Sequence, residues 1–276
     1  MFDQRDPVGR QWGTKLSYHS ARIRSFVAAA ISAAGVIGTS GVAQSADMPV
    51  KAVPLSSPTL STVVWLGGEV KERAAAGVIG GVYALNGNLS ASGFLIRGQA
   101  LYVDYRFPTG VGLPDGSGTL SAGSASIGYQ VVGSSFAVAG FVGLDYQKFS
   151  FNPPPANGIN QLDDKLGAVF TGRVATINNK QYYAALEGSF STANNSYWVR
   201  FQPGLRFGNW VFGPEGIGLG NKAYDEYRIG GFTSYEFSKT FILKVDAGHA
   251  KATRGTDGFG PGSSGAYGGA TLVFLR

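Results

Sequence analysis

The sequence predicts a closed, antiparallel, up-and-down transmembrane β-barrel of about twelve strands, within a range of ten to fourteen. Three observations predict it. The chain opens with an export leader. Beyond the leader it divides into short segments that alternate apolar and polar residues with period two. The connections between those segments are alternately long and tight.

Residues 1–45 read as a cleaved signal peptide. Arg5, Arg10, Lys15, Arg22 and Arg24 face only Asp3 and Asp6. An Ala-rich apolar run spans Phe26 to Gly38, and the leader ends in the small-residue stretch Val42-Ala43-Gln44-Ser45-Ala46. An N-terminal membrane anchor is the alternative. Ser32, Thr39 and Ser40 interrupt the run, which falls short of the ~20 strongly apolar residues of a spanning helix. Taking the leader's five basic and two acidic residues from totals of 23 and 17 leaves 18 and 15, so half of the +6 net charge belongs to targeting. No basic stripe interleaved with aromatics remains, which excludes nucleic acid as a partner. Residues 46–60, rich in Ala, Pro, Ser and Val, predict a flexible periplasmic lead-in, and residues 61–276 a single barrel domain.

Period two is clearest in 197–207. Tyr197, Val199, Phe201, Pro203, Leu205 and Phe207 share one face; Trp198, Arg200, Gln202, Gly204 and Arg206 share the other. One greasy and one charged face describe a strand between lipid and a wet lumen. Pro203 cannot donate to a ladder, which predicts a bulge or local distortion there. The same pattern sets Tyr182, Ala184, Leu186 and Phe190 against Glu187, Ser189 and Ser191. It sets Phe136, Val138, Val142, Leu144 and Tyr146 against Asp145 and Gln147. It sets Tyr227, Ile229, Tyr235 and Phe237 against Arg228, Ser234 and Glu236, and Phe241, Leu243, Val245 and Ala247 against Lys244 and Asp246. Fainter strands are expected at 61–70, 77–86, 93–107, 119–132, 165–177, 209–219 and 265–276. Segment 93–107 changes its polar face midway, as a bulge would cause. The last aromatic, Phe274, stands two positions before Arg276, where many outer-membrane barrels end on the aromatic itself.

Connections at 133–135, 178–180, 208–209 and 238–240 are tight; those at 108–118, 152–164, 220–226 and 252–264 are long and rich in Gly, Pro, Asp and Asn. A periplasmic N-terminus puts the long set on the outer rim. Asn194-Asn195 dissents, as a tight turn on the long side. Composition agrees with a barrel: 42 Gly suit crowded bends, and 13 Tyr, 18 Phe and 4 Trp suit strands and membrane interfaces. Cysteine is absent, and a closed sheet satisfies its own backbone without disulfides. A soluble sandwich or solenoid is the competing fold; it does not explain Glu187, Arg200, Arg206, Lys244 and Asp246 on the enclosed side of a small sheet.

Little in the chain points to catalysis. His249 is the one histidine after the leader, and it falls on the apolar phase of its strand, the place of an interfacial residue rather than of the base of a His–Ser–acid group. No cofactor is implied. Asp163-Asp164 and Asp225-Glu226 read as solvated loop acids rather than metal ligands, and Gly258–Gly262 lacks the strand, helix and Lys of a phosphate loop. The inward phase holds the candidate functional set: Arg97, Asp145, Glu187, Arg200, Arg206, Glu215, Arg228, Lys244 and Asp246, joined by Arg173 and Glu236. These charges either pair across the lumen and plug it or line a path for a small or linear polar solute, and the balance favours a largely plugged interior.

Several segments carry a resemblance. They are Ser191-Thr192-Ala193-Asn194-Asn195-Ser196-Tyr197-Trp198, Gly213-Pro214-Glu215-Gly216, Leu219-Gly220-Asn221, Tyr224-Asp225, and Arg228 with Gly230. Upstream are Tyr83-Ala84-Leu85-Asn86-Gly87, Gly93-Phe94-Leu95-Ile96-Arg97, Gly128-Tyr129-Gln130 and Gly143-Leu144-Asp145-Tyr146-Gln147. In order and spacing they resemble the BcsS family of cellulose biosynthesis proteins from about residue 62 onward. The resemblance implies a non-enzymatic outer-membrane barrel associated with cellulose production, without catalytic residues. Its partners would be outer-membrane lipids and either cellulose secretion components or the glucan chain. A small general channel, and a lipid-modifying barrel enzyme, are the other two function classes the sequence leaves open.

Overall fold

A computed structural model describes residues 60–107, 109, 115–153, 162–254 and 264–276. The leader, nearly all of the lead-in and the Gly258–Gly262 stretch lie outside these residues. Twelve antiparallel strands close on themselves, β1 pairing with β12. In order they are β1 (Thr62–Lys71), β2 (Ala74–Ala84), β3 (Gly93–Phe107), β4 (Gly116–Val132), β5 (Phe136–Asn152) and β6 (Lys165–Thr176). Then come β7 (Tyr182–Ser191), β8 (Ser196–Phe207), β9 (Trp210–Gly220), β10 (Asp225–Ser238), β11 (Phe241–Arg254) and β12 (Ser264–Leu275). Traced once round, the register returns to β1 displaced by about fourteen residues, which fixes a strand tilt of ~40°.

The outward phase is apolar and exposed. Leu66, Ile79, Ile96, Ile127, Val142, Leu144, Leu166, Phe201, Leu205, Ile229 and Val245 belong to it. Such a belt is stable only against lipid. Aromatics edge the belt. At the rim carrying Thr62 and Leu275, Trp210, Tyr235, Phe237, Phe241 and Phe274 run ring to ring at 4.6, 4.7, 5.3 and 5.1 Å. Phe274 thus completes the girdle from its early position. Tyr102, Tyr146 and Tyr227 edge the belt toward the opposite, far rim. On β5, Phe136 and Tyr146 lie about ten residues apart, ~25 Å once tilt is included, the height of an outer-membrane hydrocarbon band.

Three expectations need correction. Segment 93–107 has no bulge: β3 pairs without a register shift to β2 and β4. What changes is the surroundings. Above Tyr102 the strand leaves the lipid, so Asp104 and Arg106 face outward to water, while Leu101, Val103, Tyr105 and Phe107 face inward. The alternation of loop lengths also fails in the first hairpins: β1 and β2 are joined by residues 72–73 at the far rim, and β2 and β3 by residues 85–92 at the near rim. Finally, Asp225 and Glu226 are not loop acids. They start β10 and are buried at 5% and 1% exposure. At Pro203 there is a gap in the β8–β9 ladder between Phe201 and Leu205 with the register kept, a local interruption rather than a bulge.

Candidate functional site

All nine predicted inward residues lie on the lumen phase of their strands, and all but Glu215 line one cavity. That cavity, about 1210 Å³, runs from Val63, Arg206 and Val273 near one rim to Lys71, Tyr224 and Leu162 near the other. The interior formed by the described residues is therefore not plugged. The charges pair, Arg97 with Glu187 across the lumen and the others nearer the wall, and they leave space beside them.

The floor of this lining is glycine. A Cβ at Gly80 would stand 2.3 Å from the indole of Trp65, one at Gly128 2.4 Å from Phe141, and one at Gly248 2.8 Å from Tyr267. Each ring lies flat on the bare backbone of a neighbouring strand. Cations then lie over rings. Arg97 stands 5.2 Å from Trp65 and 5.8 Å from Phe141; Arg228 is 5.3 Å from Tyr267 and Arg200 5.5 Å from Trp198. Arg206 lies 5.3 Å from Tyr183, Lys244 5.6 Å from Phe232 and Lys71 5.8 Å from Tyr224. Cation–π attraction of this kind strengthens where water is excluded, and it holds long side chains against the wall.

Carboxylates tie these cations into three groups. At mid-height, buried Glu215 accepts from Tyr267 OH at 3.3 Å and from the Gln202 amide, and forms ion pairs with Arg200, whose Nε lies 3.1 Å away without a hydrogen bond, and with Lys244 Nζ at 4.0 Å. Lys244 also donates to Gln202 Oε1 at 2.7 Å, and Arg200 Nη2 lies 3.7 Å from Asp246. Nearer the far rim, Glu226 binds Lys71 and Arg228, both at 2.5 Å, and Arg228 also pairs with Glu69. These bonds join β10 to β1 over β11 and β12, whose inward residues there include the small Gly248, Ala250, Gly265 and Gly269. The third group is Arg97 with Glu187, at 3.2 Å. Its ladder neighbours Arg173 and Arg200 flank Glu187. Arg206 has no hydrogen-bond partner at its buried Nε among the described residues.

Asp145 belongs to a fourth, uncharged-partner network. Gln147 donates to Asp145 Oδ2 at 2.8 Å and to Ser196 Oγ at 2.6 Å, and accepts from Asn194 Nδ2 at 3.3 Å. Asn194 is fully buried, with φ 53°. The dissenting Asn194-Asn195 turn is thus tied down at the far rim, to Gln147 of β5 and to Asp163 O at 2.9 Å.

Sequence reasoning missed Trp65, Glu69, Lys71 and Tyr267, left the inward Gln202 out of the candidate set and assigned Glu226 to a loop. Trp65, Glu69 and Lys71 share a face with Val63 at period two, a usable signal that Gly67-Gly68 obscured. Tyr267 gave none, because its partner Glu215 lies three strands away. His249 is exposed on the outward phase, between Ile229 and Ala266 in the ladder. No group of three or more metal-ligating side chains occurs among the described residues.

The family described as cellulose biosynthesis protein BcsS matches residues 63–276, and the chain belongs to that family. No curated protein matches it. In fold it is similar to an outer-membrane channel from Pseudomonas putida F1, at 11% identity and a TM-score of 0.50 over 82% of this chain and 100% of that one. A KdgM porin gives 10% identity and 0.43 over 77% and 98%; the CymD monoaromatic hydrocarbon channel gives 10% and 0.38 over 79% and 88%.

Proposed function

We propose that this BcsS-family chain is a non-enzymatic outer-membrane barrel that assists cellulose export, its lumen engaging the emerging glucan. One observation carries the reading: a lipid-belted barrel encloses a continuous cavity of about 1210 Å³ whose cations are fixed against its wall. A polar solute passing there meets donors and acceptors already in place and loses little ordering entropy. Outward His249 is placed away from the lumen, which counts against a His–Ser–acid lipid enzyme in particular.

The test is secreted and cell-retained cellulose in the source strain with and without this chain. Loss of secreted polymer is expected, restored by the wild-type chain but not by an Arg228→Ala/Glu215→Ala form that still inserts. Unchanged cellulose under producing conditions overturns the reading. The same cavity favours a second reading, a small general channel. Steady ion conductance by the purified barrel together with unchanged cellulose output selects that alternative.

A further inference from the structure

We propose that the far half of the lumen holds a single flat β-linked glucan chain, laid face-down on an apolar strip between two polar edges. The identity of the polymer rests on the proposed role in cellulose export; the strip itself rests on register.

Two consecutive rows of the ladder build the strip. Val78, Leu101 and Ala122 are direct cross-strand partners on β2, β3 and β4. Ala76, Val103 and Leu120 form the next row. All face inward, and Val78, Leu101, Val103, Leu120 and Ala122 line the cavity. The first row continues onto Gln147 of β5, and the second begins beside Glu69 of β1. Lys71 extends one edge and Asp145 the other. Below the strip the lining turns polar again at Gln99 and Ser124. Three strands at the usual spacing span ~10 Å, the width of one pyranose chain.

A β-1,4-glucan is a ribbon with apolar C–H faces and hydroxyls along both edges. A face on the strip buries apolar area, and the edges reach Glu69 and Lys71 on one side and Asp145 and Gln147 on the other. Five other rings of the lumen do not offer such a surface. Trp65, Phe141, Tyr183, Trp198 and Tyr267 each have a guanidinium over them. The six strip residues carry no cation, and the second row runs onto the ring of Phe149 on β5, so the strip presents apolar surface with hydrogen-bonding groups at its edges, the usual composition of a ligand site. An α-linked glucan coils and cannot lay consecutive faces on a flat surface.

The experiment is calorimetric titration of cellohexaose and maltohexaose into the purified barrel in detergent, with folding checked by heat-dependent gel mobility. Cellohexaose binds more tightly than maltohexaose by about tenfold or more. Leu120→Asn, which puts an amide on the strip, and Ala122→Leu, which keeps it apolar but fills its centre, each lose at least about tenfold in cellohexaose affinity. Ala100→Leu, on the outward face of β3, binds as the wild type. Equal binding of the two sugars, no binding, or wild-type binding by both folded strip variants overturns the proposal. Export lost on deletion with no cellohexaose binding overturns the strip alone; binding with unchanged export overturns the export reading alone.

Discussion

Arg97 on β3 donates from Nη1 to Oε1 of Glu187 on β7 at 3.2 Å, and the bond crosses open lumen rather than running along the sheet. Three strands, β4 to β6, lie between the two. Both ends are held. Arg97 lies over Trp65 and Phe141 and donates to Gln99 Oε1 at 3.0 Å, while Glu187 sits between Arg173 and Arg200. The pair is a bar across the cavity at mid-membrane, set beneath the apolar strip.

Removing the bar clears two side chains from the cavity they both line. Arg97→Ala and Glu187→Ala are expected to raise single-channel conductance in planar bilayers severalfold over the wild type. The double variant is expected to conduct no more than the better single one, because either change opens the same bar. Wild-type conductance in both single variants refutes a gating position for this pair.

Glu226 is the anchor of the far-rim group. Its side chain is fully buried and it is the shared acceptor of Lys71 and Arg228. Glu226→Ala leaves two enclosed cations short of their acid, and breaking a buried pair in this way costs about 3–5 kcal/mol. Denaturant unfolding in lipid vesicles measures it. Glu236→Ala, at an exposed carboxylate on the near rim, is the comparison and is expected to leave stability unchanged.

What is legible in the sequence depends on the range of the physics. Period two is local, so strands such as β8 and β10, the lipid belt and the nine inward charges can be read directly from neighbours two apart. Partnership is not local. Glu215 meets Tyr267, and Arg228 meets Glu69, only because stagger and closure accumulate round twelve strands. The apparent bulge in β3 has the same root. A change of polarity at Leu101 looks like a change of face unless the height of the membrane is known. Asp225-Glu226 resembles loop chemistry because two adjacent acids after Asn221 fit a turn; the cations that bury Glu226 come from β1 and from its own strand.

His249 decides the enzymatic alternative. It faces outward beside Ile229 and Ala266, on the opposite phase from the lumen-facing residues described. His249→Ala is expected to leave both cellulose output and the lipid profile of the membrane unchanged. Loss of a lipid modification in that variant, with the barrel still folded, establishes the enzyme instead.

The Asn194 turn separates backbone from side-chain contributions. Its φ of 53° lies in the left-handed region, and its side chain donates to Asp163 O and Gln147 and accepts from the Asp163 amide at 3.2 Å. Asn194→Gly keeps the conformation and loses the bonds; Asn194→Ala loses both. Ala is therefore expected to be the more destabilising by about 1–2 kcal/mol, the cost of an alanine held left-handed. Equal unfolding midpoints for the two variants contradict that account.

Gly248 and Gly98 test the glycine floor under the rings. A Cβ at Gly248 would meet Ile229 O at 2.4 Å, Gly230 Cα at 2.5 Å and the Tyr267 ring at 2.8 Å. The first two are backbone and cannot turn aside, so Gly248→Ala forces β10 and β11 apart where Tyr267 lies flat and reaches Glu215. Gly98, outward on β3, meets nothing within 4 Å. There a methyl group adds strand propensity and lipid contact. Gly98→Ala is expected to fold with wild-type yield and unchanged heat-dependent gel mobility. Gly248→Ala is expected to lose most of its folded band, and its residual barrel to be less stable in denaturant. Lengthening the side chain to valine makes the contrast sharper, since the outward site accepts it and the inward one has no room. If Gly248→Ala folds as well as Gly98→Ala, Tyr267 does not rest on that glycine, and the fixed placement of Arg228 over it loses its basis.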